Sequence, residues 1–174
     1  MADWFDPIAA FAKSKGYRFM GDIAYCEIHA PFAGTEIEVW ISAMGSGAAR
    51  LTLTGMLAEG RRTHCRAKAK LVAPFKGVVR PKNIIDRIFG RGTPSGDAVF
   101  DKRYVALGAA DEVRGYLKPA VIAAFVAMWE RTEALEVEDG DVVLGGGEFS
   151  LSIQEIEFII DAVGVIATGG VARS

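Results

Sequence analysis

Residues 134–146 read ALEVEDGDVVLGG, with Asp139-Gly140 set between two runs in which apolar and polar residues alternate. That arrangement is the sequence signature of a two-residue β-hairpin turn. Alternation puts Glu136 and Glu138 on one face, and the turn sets Asp141 opposite Glu138. Toward the C-terminus, Ser152 and Glu155 make a capping box, predicting a helix that runs to about Thr168 before Gly169-Gly170. Toward the N-terminus, residues 111–132 read as helical sequence interrupted or kinked at Pro119, because proline lacks an N–H donor and clashes one turn back. Within it, AVIAAFVAMW is apolar on nearly every side, the pattern of a helix buried against a sheet.

The N-terminal half is rich in strands. A helix is expected from Asp6, as N-cap, to about Lys15, with Pro7 at its first position and Gly16 ending it. Antiparallel strands are expected near 17–20, 23–31, 35–43, 49–58 and 62–72, with glycine-bearing turns between them. Alternation is clearest in TEIEVWIS, where Thr35, Ile37, Val39 and Ile41 face one way and Glu36, Glu38, Trp40 and Ser42 the other. A short helix around Asn83 to Phe89, a loop of glycines and Pro94, and a strand near 99–107 complete the order. Strands in runs, rather than alternating singly with helices, predict an α+β fold with an antiparallel meander. The 174 residues, 51 % of them hydrophobic, suit a single domain over 1–174. Two lobes could meet near 90–97.

The net charge of −2 hides a strong asymmetry. Residues 61–91 carry ten Lys or Arg against the single acid Asp86, a net of +9, whereas 130–161 carry ten acids against Arg131, a net of −9. The segment RRTHCRAKAKLV, read as a strand, sends Arg62, His64, Arg66, Lys68 and Lys70 to one face as a candidate anion- or partner-binding row. Three readings fit it. Cross-strand neutralisation could use Glu36 and Glu38, two strands away across a Thr52 and Thr54 face, or the acidic 130–161 segment of the same or a second copy. Nucleic acid is disfavoured, because no aromatic alternates with the cations and the chain as a whole is acidic. An anionic membrane surface is conceivable if Lys76, Arg80, Lys82, Arg87 and Arg91 join the patch, with Phe75 or Phe89 as anchors.

The search for catalytic chemistry finds little. His29 and His64 lie in strand-like sequence away from any nucleophile elbow, and no metal-ligand spacing or Cys pair motif occurs. Cys26 and Cys65 read as buried free thiols. The glycine runs FGRGTPSGD and LGGGEFS lack phosphate-loop order and read as turns. The pairs Glu157/Asp161 and Glu136/Glu138 read as a solvated acidic face. No catalytic residue, metal or cofactor is therefore expected. The N-terminus carries acids ahead of its apolar residues, unlike a secretory signal. The apolar run FIIDAVGVIATGGVA is shorter than the roughly 20 residues of a membrane span. The expectation is a cytoplasmic protein.

The segment 94–128 holds Ser95, Gly96 and Asp97, then Phe100, Asp101 and Tyr104, then Leu117 and Pro119 on helical sequence. This resembles a pattern in a family of bacterial proteins that have no assigned activity, some of which carry membrane helices. The resemblance implies no site residue. The leading expectation is a non-enzymatic binding or assembly domain, with self-association as one mode. The alternatives are an enzyme or small-ligand carrier with a pocket between the sheet and the 120–129 helix, and a peripheral binder of anionic membrane or nucleic acid.

Overall fold

The computed structural model describes residues 5–21, 25–43, 63–132, 134–149 and 152–171. Among these, the elements in chain order are α1 (Asp6–Ser14), β1 (Arg18–Gly21), β2 (Tyr25–Phe32), β3 (Thr35–Ala43), β4 (Thr63–Lys70) and β5 (Val78–Pro81). Then come α2 (Ile84–Phe89), α3 (Ala98–Arg103), β6 (Tyr104–Leu107), α4 (Ala110–Tyr116) and α5 (Pro119–Trp129). The chain closes with β7 (Leu135–Glu138), β8 (Asp141–Phe149) and α6 (Ile153–Ala167). The strands form one antiparallel sheet in the order β1-β2-β3-β4-β8-β7-β5-β6, so the fold is α+β.

The β7–β8 hairpin turns where Asp-Gly requires it. Asp139 and Gly140 have φ of 53° and 76°, and Glu138 pairs with Asp141. Positive φ at both central residues gives the turn a twist that matches the strands it joins. Farther along β8, Cys65 pairs with Gly147 but Ala67 with Leu144, so one extra residue bulges among Gly145 and Gly146. The glycine run expected as a turn is thus strand, with a bulge that glycine tolerates.

One face of the sheet carries the core. Ile28, Ala30, Ile37, Val39, Ile41, Cys65, Val137, Val142 and Leu144 are buried there. Helix α6 covers the part of this face formed by β3, β4 and β8, with Ile156, Ile159, Ile160, Val163 and Ile166 buried, and its capping box of Ser152 and Glu155 is present as expected. Gly164 lets α6 settle onto β2, since a Cβ there would lie 2.5 Å from the ring of Phe32. The Tyr116 hydroxyl donates to the Ile166 carbonyl at 2.9 Å and ties α4 to α6.

Several expectations are corrected. Residues 98–103 are helix, not strand, because the Asp97 carboxylate accepts from the N–H groups of Val99 and Phe100 and nucleates a turn. Asp6 lies within the first turn of α1 and Phe5 is the N-cap. Pro119 begins α5, where its missing N–H costs nothing. Helix α5 packs mainly on α6 and buries only Val121, Phe125 and Met128. Strand β5 was not anticipated. The expected strand 49–58 lies outside the described residues, and β3 pairs directly with β4.

Candidate functional site

On the outer face of the sheet, Arg66, Lys68 and Lys70 of β4 do line up, but the last two have a partner. Strand β8 brings Asp141 beside them, and the ammonium groups of Lys68 and Lys70 sit 2.9 Å and 2.7 Å from its two oxygens. Partial burial pushes the Asp141 carboxyl up, yet the bonds from Lys70 and Lys68 outweigh it and hold the group below the usual carboxylate range. The Lys68 ammonium is correspondingly raised by its bond to Asp141. The acidic 130–161 segment therefore neutralises part of the basic row within one molecule. Glu36 and Glu38 lie on the adjacent strand, not two strands away, with Glu38 opposite Lys68. Glu36 turns instead to Arg18 and His29.

Among the described residues, no such partner is shown for the other members of the row. Arg66 stands opposite Trp40 and, with Tyr25 and Ser42, lines an open depression. His64 pairs in register with Ser42, and Arg62 lies outside the described residues.

The strongest departure from ordinary surface chemistry is α2, in the same cation-rich segment. Its N-cap Asn83 and its third residue Asp86 form a reciprocal capping box. The Asn83 Oδ1 accepts from the Asp86 N–H at 2.9 Å and Asp86 Oδ2 accepts from the Asn83 N–H at 3.0 Å. Gly90, with φ of 59°, ends the helix in the left-handed conformation. Arg80 of β5 reaches Asp86 with both terminal nitrogens, at 2.7 Å and 2.9 Å. That fork, followed by the Asn83 N–H, holds the Asp86 carboxyl below its ordinary value. Asp86 is only 1 % exposed, and fixing it inward sends its apolar neighbours out. Ile84, Ile85, Ile88 and Phe89 are between 47 % and 72 % exposed. A surface helix ordinarily does the reverse.

The surroundings of this apolar tip are basic. Arg87 and Arg91 are exposed, and the Arg91 guanidinium lies 5.9 Å from the centre of the Phe89 ring. Lys82 donates to the Asp101 carbonyl at 2.6 Å beside a cleft of about 150 Å³ that Arg91 and Thr93 also line. Residues 76–103 hold seven Lys or Arg against three Asp, a net of +4. Each of those acids has a local bond: Asp86 to Arg80, Asp97 as the cap of α3, and Asp101 accepting from the Ser95 N–H at 2.9 Å. Of the two anchors considered from sequence, Phe89 is outside. Phe75 is buried, stacked on Tyr116 with ring centres 4.3 Å apart.

Sequence reasoning missed Ile84, Ile85 and Ile88 because apolar residues at helical spacing are read as core. The available signal was IIDRIF, where the four apolar residues share one side of a helix inside a segment otherwise crowded with cations.

Elsewhere the groups singled out from sequence are buried. Val121, Phe125 and Met128, on the helix expected to border a pocket, have no accessible surface, and α5 packs mainly on α6. Cys26 and Cys65 are buried free thiols, each pushed up to about 12 by burial, which leaves the reactive thiolate scarce. No family model, curated protein or solved structure matches the chain.

Proposed function

We propose that this chain is a non-enzymatic binding domain that docks on an anionic membrane surface through α2. The observation that carries the reading is the inverted helix, with its one acid buried against Arg80 and four large apolar side chains exposed. Apolar area of that kind gains by entering the boundary between headgroups and acyl chains. The exposed Arg87 and Arg91 lie beside it, and each cation near such a surface contributes about 1 kcal/mol. Among the described residues no helix is long and apolar enough to cross a membrane, so attachment through α2 would be peripheral. The exposed cations beside α2 favour an anionic lipid surface as the occupant, and the acids within 76–103 already have local bonds.

The test is co-sedimentation of the whole chain with phosphatidylserine-containing and with neutral vesicles across a salt series. Binding that needs the anionic lipid and weakens with salt is expected. Burying one large apolar side chain is worth roughly 1.5–3 kcal/mol, so Ile88→Asp with Phe89→Asp should lower vesicle affinity about 100-fold. Failure to bind at low salt overturns the reading. So does binding that the double variant retains, or a concentration-dependent mass that the variant alone abolishes, which would make α2 a self-association face.

A further inference from the structure

At the other end of the sheet, the β2–β3 hairpin collects metal-ligand side chains on its outer face. Glu27 and His29 are two apart on β2, Glu36 and Glu38 two apart on β3, and His29 is directly opposite Glu38. Alternation sends all four to one side. The two-residue turn at Ala33-Gly34 sets this register, because Phe32 pairs with Thr35.

The geometry around the imidazole calls for positive charge. His29 is 9 % exposed. Its Nδ1 is 3.0 Å from Glu36 Oε1. Its Nε2 is 2.8 Å from Glu27 Oε1 but off the hydrogen-bonding line, leaving that buried nitrogen without a hydrogen bond. A neutral imidazole has one N–H, so it cannot donate to both carboxylates, and its lone pair must face one of them. One ligand atom from each of His29, Glu36 and Glu38 lies within 4.8 Å of the others. His29 Nδ1 and Glu36 Oε1, 3.0 Å apart, are close to the spacing that metal bonds of about 2.1 Å produce, and a ligand atom of Glu38 lies within 4.8 Å of both. A cationic group already stands at this position: Arg18 Nη2 donates to the two Glu36 oxygens at 2.7 Å and 2.8 Å and lies 3.5 Å from His29 Nδ1. Arg18 is exposed on the edge strand β1.

We propose that His29 Nδ1, Glu36 and Glu38 bind a divalent transition metal ion, and that as the ring settles on the ion its Nε2–H comes into line to donate to Glu27, whose Oε1 is 2.8 Å away. One imidazole with carboxylates is a donor set for Zn²⁺ or Mn²⁺. A carboxylate on the second ring nitrogen is the usual outer support of a metal-bound histidine. The ion displaces the Arg18 guanidinium from Glu36, so Arg18 competes for the site.

Calorimetric titration of the chelator-treated full chain with Zn²⁺ and with Mn²⁺ tests this. One-to-one binding is expected for at least one metal. His29→Ala should abolish it, and Glu38→Gln should weaken it about tenfold or more, with circular dichroism confirming that each variant folds. Glu27→Gln should cost about 10- to 100-fold. Arg18→Ala should tighten binding, an outcome that a merely structural ion-pair cluster would not give. The proposal is overturned if neither metal binds, if His29→Ala and Glu38→Gln bind as the parent does, or if Ca²⁺ binds equally well and independently of His29.

Discussion

The outer face of β4 and the helix α2 come from one cation-rich stretch, yet they dispose of their charge in opposite ways. On β4 the cations stay outside and Asp141 of the neighbouring strand meets two of them. At α2 the acid is the group drawn inward, by Arg80, and the apolar side chains stay outside. A run of Lys and Arg in a sequence therefore does not reveal a free basic surface. What decides is whether an adjacent element supplies a carboxylate, and where that carboxylate can reach.

The comparison breaks most sharply in vesicle binding. Ile88→Asp with Phe89→Asp should lower affinity about 100-fold, by the loss of buried apolar area, with little change in melting temperature. Charge reversal on the sheet, Arg66→Glu with Lys68→Glu, should leave vesicle affinity nearly unchanged. A large loss in the sheet variant would return the membrane reading to the basic row.

Stability separates the two regions next. Arg80→Gln removes the partner of a carboxylate that is 1 % exposed, and an unpaired buried charge is strongly destabilising. Its melting temperature should fall further than that of Asp141→Asn, measured under the same conditions. Equal shifts would mean that the Arg80–Asp86 fork does not hold α2. For Asp141→Asn itself the exposed lysines limit the effect, and urea unfolding should show a loss of about 1 kcal/mol or less.

The smallest effect is the dependence on acid. Asp86, Asp141 and Glu36 each have carboxyls depressed in the folded chain. The unfolded chain takes up their protons first as pH falls, so their contribution is fully present above the ordinary carboxylate values, about 4, and is lost as pH drops through the depressed folded values. The urea midpoint should fall below about pH 4. Asp141→Asn should flatten part of that decline, and an unchanged slope would show that its bonds to Lys68 and Lys70 do not bias folding.

Much of the fold was legible because it rests on short-range rules. The Asp139-Gly140 hairpin, the Ser152 capping box and the strand at 35–43 each follow from residues within one turn or one alternation of each other. The errors came where two short-range rules competed: Asp97 capped a helix in a segment whose apolar residues also suited a strand, and the bulge at Gly145-Gly146 passed for a turn. Of the candidate site, Phe89 and its cations were visible, but Phe75 was misplaced because the sequence does not say that Tyr116 will stack on it.

Taken alone, the sequence determined most of the local elements, the α+β class and the two opposed charge blocks. Tertiary structure alone decided that β4 lies between β3 and β8, which puts Asp141 beside Lys68 and Lys70 and only one strand between His29 and the cations. It also decided that Arg80, on a strand absent from the sequence reading, would pull Asp86 inward and turn the apolar side of α2 to the surface. The physical reason is range: caps, turns and alternation act across a few residues, whereas the partner of a charge depends on which distant strand the sheet order places next to it.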